Sequence, residues 1–103
     1  MNPKFWGMLS LAMRAGKVAA GEEKVTETVR GGKAFLLILA EDAGSNTAKK
    51  VKDMAAYRNL LVLRPGDRDE IGRTIGRKFA VVLAITDQGF AEQLIRLFGD
   101  RQE

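Results

Sequence analysis

Gly21-Glu22-Glu23-Lys24-Val25-Thr26-Glu27-Thr28 opens a helix, and beyond Gly31-Gly32 the apolar run Phe35-Leu36-Leu37-Ile38-Leu39 follows it. Val25, Thr28 and Val29 fall on one face at helical spacing, and the paired glycines end the pattern. The run from Ala34 to Ala40 does not alternate, which suits a central strand covered on both faces. A strand buried twice over needs helices on either side of its sheet, so this stretch sets the class as α/β.

The same grammar extends outward. Before the stretch, Asn2-Pro3 offers a cap and a first-turn proline, and Phe5, Met8, Leu9, Ala12 and Met13 recur at helical spacing towards Arg14 and a stop at Gly16. Lys17-Val18-Ala19-Ala20 is long enough only for an edge strand. After it, Glu41-Asp42-Ala43-Gly44 breaks the chain, and Ser45 or Asn46 is placed to cap a third helix with Ala48, Val51, Ala55 and Ala56 inward and Lys49, Lys50 and Lys52 outward. Leu60 to Leu63 reads as a short buried strand closed by Arg64-Pro65-Gly66, Asp67 to Thr74 as a short helix with Ile71 and Ile75 inward, and Ala80 to Ile85 as another unbroken apolar strand. A last helix from Gln88 presents Phe90, Leu94, Ile95, Leu97 and Phe98 before Gly99. The expected product is a three-layer α/β/α sandwich with a mixed sheet of about four strands.

Composition bounds the chemistry. The 103 residues are expected to form one domain, residues 1–103, and 46% hydrophobic content supplies its core. Histidine and cysteine are both absent, which removes the usual general base, the usual metal ligands and thiol nucleophiles together. We therefore expect no enzyme, no cofactor and no metal site. A net charge of +4 favours a polyanionic partner, although acids are scattered among the bases. No apolar run approaches a membrane span, and the first residues lack a signal-peptide progression, so a soluble cytoplasmic protein with no membrane partner is expected.

Function then falls to the rim where strands give way to helices. The turn from Lys17 to Lys24, the Glu41-Asp42 segment and the approach from Gly72 to Phe79 are expected to gather at one end as a groove. Arg73, Arg77 and Lys78 make the last of these basic, with Gly72 and Gly76 permitting close backbone approach to a phosphate chain. A solvated turn is the bland reading of the same charges. Glu22 and Glu23 suit helix capping, Lys49, Lys50 and Lys52 suit a wet helix face more than a binding stripe and stay secondary binding candidates, and Glu41, Asp42 and Asp87 suit caps better than a magnesium site. Gly72-Arg73-Thr74-Ile75-Gly76-Arg77-Lys78 lacks the Gly-Lys-Ser/Thr ending of a nucleotide loop.

Lys17 to Asp42, with Gly21, Val25-Thr26, Val29, Gly31-Gly32 and the ending Ala40-Glu41-Asp42, resembles the kink-turn RNA-binding ribosomal protein superfamily. The likeness continues through Glu70-Ile71-Gly72-Arg73, Gly76 and the Val81 to Ile85 strand. Glu41-Asp42 followed by Ser45-Asn46-Thr47-Ala48-Lys49-Lys50, and Thr86-Asp87-Gln88-Gly89-Phe90-Ala91, resemble its bacterial YlxQ-like branch. The resemblance implies an α/β/α sandwich that binds structured RNA, ribosomal RNA above all, without catalysis and in association with ribosomes or translation proteins.

It also implies where RNA is gripped: at a Gly-x-Asn-Glu-x-x-Lys pattern entering the second helix, and at an apolar loop before the last strand. Here the pattern's Asn, Glu and Lys positions are Glu23, Lys24 and Glu27, and the loop is Gly76-Arg77-Lys78-Phe79. Glu27 adds repulsion towards phosphate, while Lys24, Arg77 and Lys78 return positive charge nearby. The expected RNA-binding set is Lys17, Gly21, Glu23, Lys24, Glu27, Arg73, Arg77 and Lys78, with altered or relaxed specificity. The alternative is a protein interaction module that kept the fold and lost RNA recognition.

Overall fold

The computed structural model describes residues 2–100. Helix α1 (Pro3–Arg14) starts where expected: the Asn2 side chain accepts from the Lys4 amide at 2.9 Å, and proline occupies the first turn. Strand β1 (Val18–Ala20), helix α2 (Glu22–Arg30), strand β2 (Leu36–Leu39) and helix α3 (Ser45–Tyr57) follow. Strand β3 (Val62–Leu63), helix α4 (Arg68–Thr74), strand β4 (Val82–Ile85) and helix α5 (Gln88–Gly99) complete the order.

The sheet runs β1-β4-β2-β3, with β4 antiparallel to both neighbours and β2 parallel to β3. The two apolar runs became its two central strands, each buried along its whole length. Their side chains alternate between layers, as the two-residue period of a strand requires. Leu36, Ile38, Leu83 and Ile85 pack with Phe5, Leu9, Ile71 and Leu94 on the side of α1, α4 and α5. Leu37, Leu39, Val82 and Ala84 pack with Val25, Val29, Val51 and Ala55 beneath α2 and α3. Each large side chain buried this way stabilises the fold by roughly 1.5–3 kcal/mol. The mixed α/β/α sandwich is thus the architecture.

Several local readings are corrected. Gly44, with no side-chain bond, precedes α3, and Ser45 is already helical, so neither Ser45 nor Asn46 caps it. Ala56 is exposed, because it lies about 100° around the helix from the buried Ala55. The strand expected over Leu60 to Leu63 shrinks to Val62–Leu63, and Leu61 is 55% exposed, since β3 is an edge with nothing beyond it. Gly99 extends α5 instead of stopping it.

Strand direction decides what the rim can do. β4 alone runs against the other three strands, so its beginning meets the ends of β1, β2 and β3. At that end α2, α3 and α4 begin.

Candidate functional site

The backbone ties the loops of this end together. The Gly21 amide donates to the Val82 carbonyl at 3.1 Å, the Ala40 amide to Val81 at 2.8 Å, and the Glu41 amide to Gly66 at 2.9 Å. The Gly21 turn, the Glu41-Asp42 segment and the approach to β4 therefore meet at one end, while Lys17, at the start of the expected Lys17 to Lys24 turn, stays outside it. Gly21 takes φ +98°, a backbone conformation that glycine adopts freely, and a side chain there would meet nothing within 4 Å. Open space lies in front of the turn, and no side chain caps the amides that begin α2.

Between this turn and the loop before β4 lies a groove of about 270 Å³, lined by Gly21, Glu22, Thr47, Arg77, Phe79 and neighbouring strand backbone. Arg77 stands on one wall, and Phe79, 57% exposed, offers an aromatic surface beside it. On the other wall the Glu22 carboxylate accepts from Lys50 Nζ at 2.6 Å and from Thr47 Oγ1 at 3.4 Å. The Lys50 bond and charge hold the Glu22 carboxyl below its ordinary value, outweighing a small opposing effect of burial. Glu22 is thus neutralised by a partner, which lowers the repulsion an anion would meet in the groove.

The basic loop is braced from behind. Arg77 donates its amide to Gly72 at 2.8 Å, and the Ala80 amide donates to Arg68 at 3.0 Å. Gly72 lies against Phe79 so closely that a Cβ would stand 2.4 Å from the Phe79 Cα. Helix α4 itself is fixed by a capping box between Asp67 and Glu70. Asp42 adds to this by accepting from the Arg68 amide at 3.0 Å and from Arg68 Nε at 3.3 Å, while Arg68 Nη2 donates to the Asp42 carbonyl. Desolvation pushes the Asp42 carboxyl up, but the Arg68 amide and charge outweigh it and leave it below the ordinary range. Asp87 caps α5 through the Phe90 amide as expected, but neither Glu41 nor Asp42 caps the next helix: Gly44 precedes α3 without a side-chain bond, and Asp42 instead accepts from the Arg68 amide, 26 residues on, beside the Asp67 cap of α4.

The expected site residues separate into four groups. Gly21 and Arg77 line the groove, Lys24 sits in the first turn of α2 that rises from it, and Lys78 is exposed next to Arg77. Glu23 and Glu27 lie along the exposed side of α2 with Arg30. Arg73 is in the last turn of α4, grouped with Trp6 and Thr74 on the α1 side. Lys17 is placed apart from all of these: its carbonyl accepts from the Thr86 amide at 2.9 Å, at the finishing end of β4. The whole of β1 lies between Lys17 and Gly21.

Thr47, Lys50 and Phe79 are missing from the sequence-derived set. Phe79 carried a signal, an aromatic directly after two cations. Lys50 stands in the sequence as one of three lysines on an outward helix face and Thr47 within the stretch that resembles the YlxQ-like branch, but only the packing of α3 against α2 brings the two to Glu22.

A three-layer sandwich with an open sheet end, a glycine turn on one side and a braced cationic loop on the other, defines a small α/β binding fold. The chain belongs to the ribosomal protein L7Ae/L30e/S12e/Gadd45 family, whose model matches residues 4–95. It is 46% identical over 94 residues to RNA-binding protein YlxQ of Bacillus subtilis (strain 168), covering 91% of this chain and 94% of that protein. It is 32% identical over 91 residues to large ribosomal subunit protein eL30 of Dictyostelium discoideum, covering 86% and 81%. Among solved structures, a protein of unknown function from Bacillus halodurans C superimposes with a TM-score of 0.90 at 38% identity, over 93% of this chain and 97% of that one. The Giardia lamblia 15.5kD RNA binding protein shares the fold at a TM-score of 0.79 and 16% identity, over 97% and 89%. The family is non-enzymatic, in line with a chain that has neither histidine nor cysteine.

Proposed function

We propose that this protein binds structured RNA, ribosomal RNA in the first place, without catalysing a reaction, and works in the cytoplasm beside ribosomes or translation proteins. The observation that carries the reading is the groove joining the Gly21 turn to Arg77 and Phe79. Arg77, Lys78 and Lys24 supply charge for phosphates, the free amides of α2 supply donors, and Phe79 supplies a face for a base. Relatives named for RNA binding and for the ribosome support the same partner class.

Specificity follows from the first turns of α2. Glu23 and Glu27 take part in no ion pair among the described residues, so they repel phosphate unless a base amino group reaches them. A standard kink-turn is accordingly bound with altered or relaxed specificity. The same acidic side of α2 motivates the second reading, a protein interaction module, which predicts cellular partners that survive ribonuclease treatment.

The test is fluorescence anisotropy with a panel of ribosomal RNA fragments, a kink-turn among them. The double variant R77E/K78E should bind at least about tenfold more weakly, with a log–log salt slope flattened by about 1.5 units for two lost phosphate contacts. Unchanged binding across the panel would remove the site.

A further inference from the structure

A second opening lies on the other layer of the sandwich. A groove of about 740 Å³ runs between α1 and α5, lined by Lys4, Gly7, Met8, Leu11, Arg14, Arg96 and Leu97 among others. Lys4, Gly7, Leu11 and Arg14 succeed one another at spacings of three, four and three, which places them on one stripe of α1. The stripe is about 15 Å long, some three helical turns.

Its two ends and its far wall are cationic, and its floor is apolar. Leu11 is 47% exposed, Met8 and Leu97 lie beside it, and a Cβ at Gly7 would meet nothing within 4 Å. The middle of the stripe is therefore an open notch. Lys4, Arg14 and Arg96 enter no ion pair among the described residues; the Arg96 side chain donates to the neutral Gln93. Among the described residues, Asp100 is the single acid lining the groove.

Three kinds of occupant can be set against this pattern. A nucleic-acid backbone would answer the cations but leave Met8, Leu11 and Leu97 facing phosphate. A second copy of the same face would set cation against cation across a two-fold axis. An amphipathic helix with apolar residues at spacing three or four, and carboxylates about ten residues apart at either end, answers both the floor and the rim. We propose that the α1/α5 groove docks such an acidic amphipathic helix of a partner protein, independently of the RNA site.

The test is selection of a displayed library of 18-residue helical peptides against the full-length protein, with counter-selection against L11E/R14E. Both altered side chains are exposed, and a cooperative thermal transition with an unchanged far-UV circular dichroism spectrum verifies that the variant folds, even where the loss of Arg14 from the last turn of α1 lowers the midpoint slightly. The expected winners carry acids flanking an apolar stripe, bind wild type and R77E/K78E alike, and lose at least about tenfold to L11E and to R14E separately. The proposal is overturned if no peptide distinguishes wild type from L11E/R14E, or if the winners are neutral or basic. It also falls if short RNA competes equally on wild type and R77E/K78E, or if the face instead supports self-association that L11E abolishes.

Discussion

Where β4 begins, Lys24 stands in the first turn of a helix while Arg77 and Lys78 ride the loop that leads from α4 into the strand; where β4 finishes, cations stand beside helix ends. At the first end α2, α3 and α4 begin, and Lys24, Arg77 and Lys78 are found there. At the second end Arg14 and Arg30 occupy the last turns of α1 and α2, and Arg58 follows α3, its Nη2 donating to the Arg30 carbonyl at 3.3 Å. A cation at a helix C-terminus offsets the partial negative charge there and stabilises by about 0.3–1 kcal/mol, whereas beside an N-terminus it meets partial positive charge. The basic residues at the finishing end thus serve helix stability, whereas at the other end Lys24 meets the partial positive charge of the α2 start, and Lys24, Arg77 and Lys78 enter no ion pair among the described residues. A net charge of +4 sums the two and cannot separate them.

The comparison is broken most forcefully at Gly72, where a Cβ would collide with Phe79 backbone that has no flexible end to yield. Gly72→Ala should lower stability by about 3 kcal/mol in urea denaturation and weaken RNA binding as well, because the basic loop is displaced. If stability holds, the brace behind that end is not what positions it. Phe79→Ala should leave unfolding nearly unchanged, the ring being 57% exposed, but reduce RNA affinity by about 1–3 kcal/mol in a binding titration if a base stacks there.

The opposite end should answer in reverse. Reversing both Arg30 and Arg58 to glutamate should destabilise by about 1 kcal/mol while leaving RNA affinity within about twofold, and Lys17→Glu should leave affinity equally untouched. A loss of affinity in either variant comparable to that of R77E/K78E would erase the distinction between the ends.

The smallest effect concerns acid. Glu22 has its pKa depressed below the ordinary 4.5 by Lys50, so the stability of that pair is present above this value and lost as pH falls through the lower folded one. The pair is solvent-screened, with Lys50 69% and Glu22 42% exposed, and is worth under about 1 kcal/mol. Lys50→Met should therefore be slightly less stable than wild type at neutral pH and indistinguishable from it in strong acid, as read by urea midpoints. A gap that persists in acid would assign the effect to packing.

By itself the chain's sequence determined the layers, because apolar periodicity is a local property: the runs Leu36–Leu39 and Val82–Ile85 have no place but the centre of a sheet, and Val25 with Val29 no place but beneath a helix. It also marked the turn at Gly21 and the basic loop at Arg77-Lys78, where glycine and charge are conspicuous in themselves. Tertiary structure alone decided which of these meet. Lys17 and Gly21 are four residues apart, yet a strand between them sends them to opposite ends of the sheet; Gly21 and Arg77 are far apart in the chain, yet share a groove because β4 runs against β1. The Asp42 bond to Arg68 spans 26 residues and the Glu22 bond to Lys50 spans 28. Such contacts depend on strand direction and helix packing, which many sequences of the same local pattern could satisfy differently, and so no reading along the chain contains them.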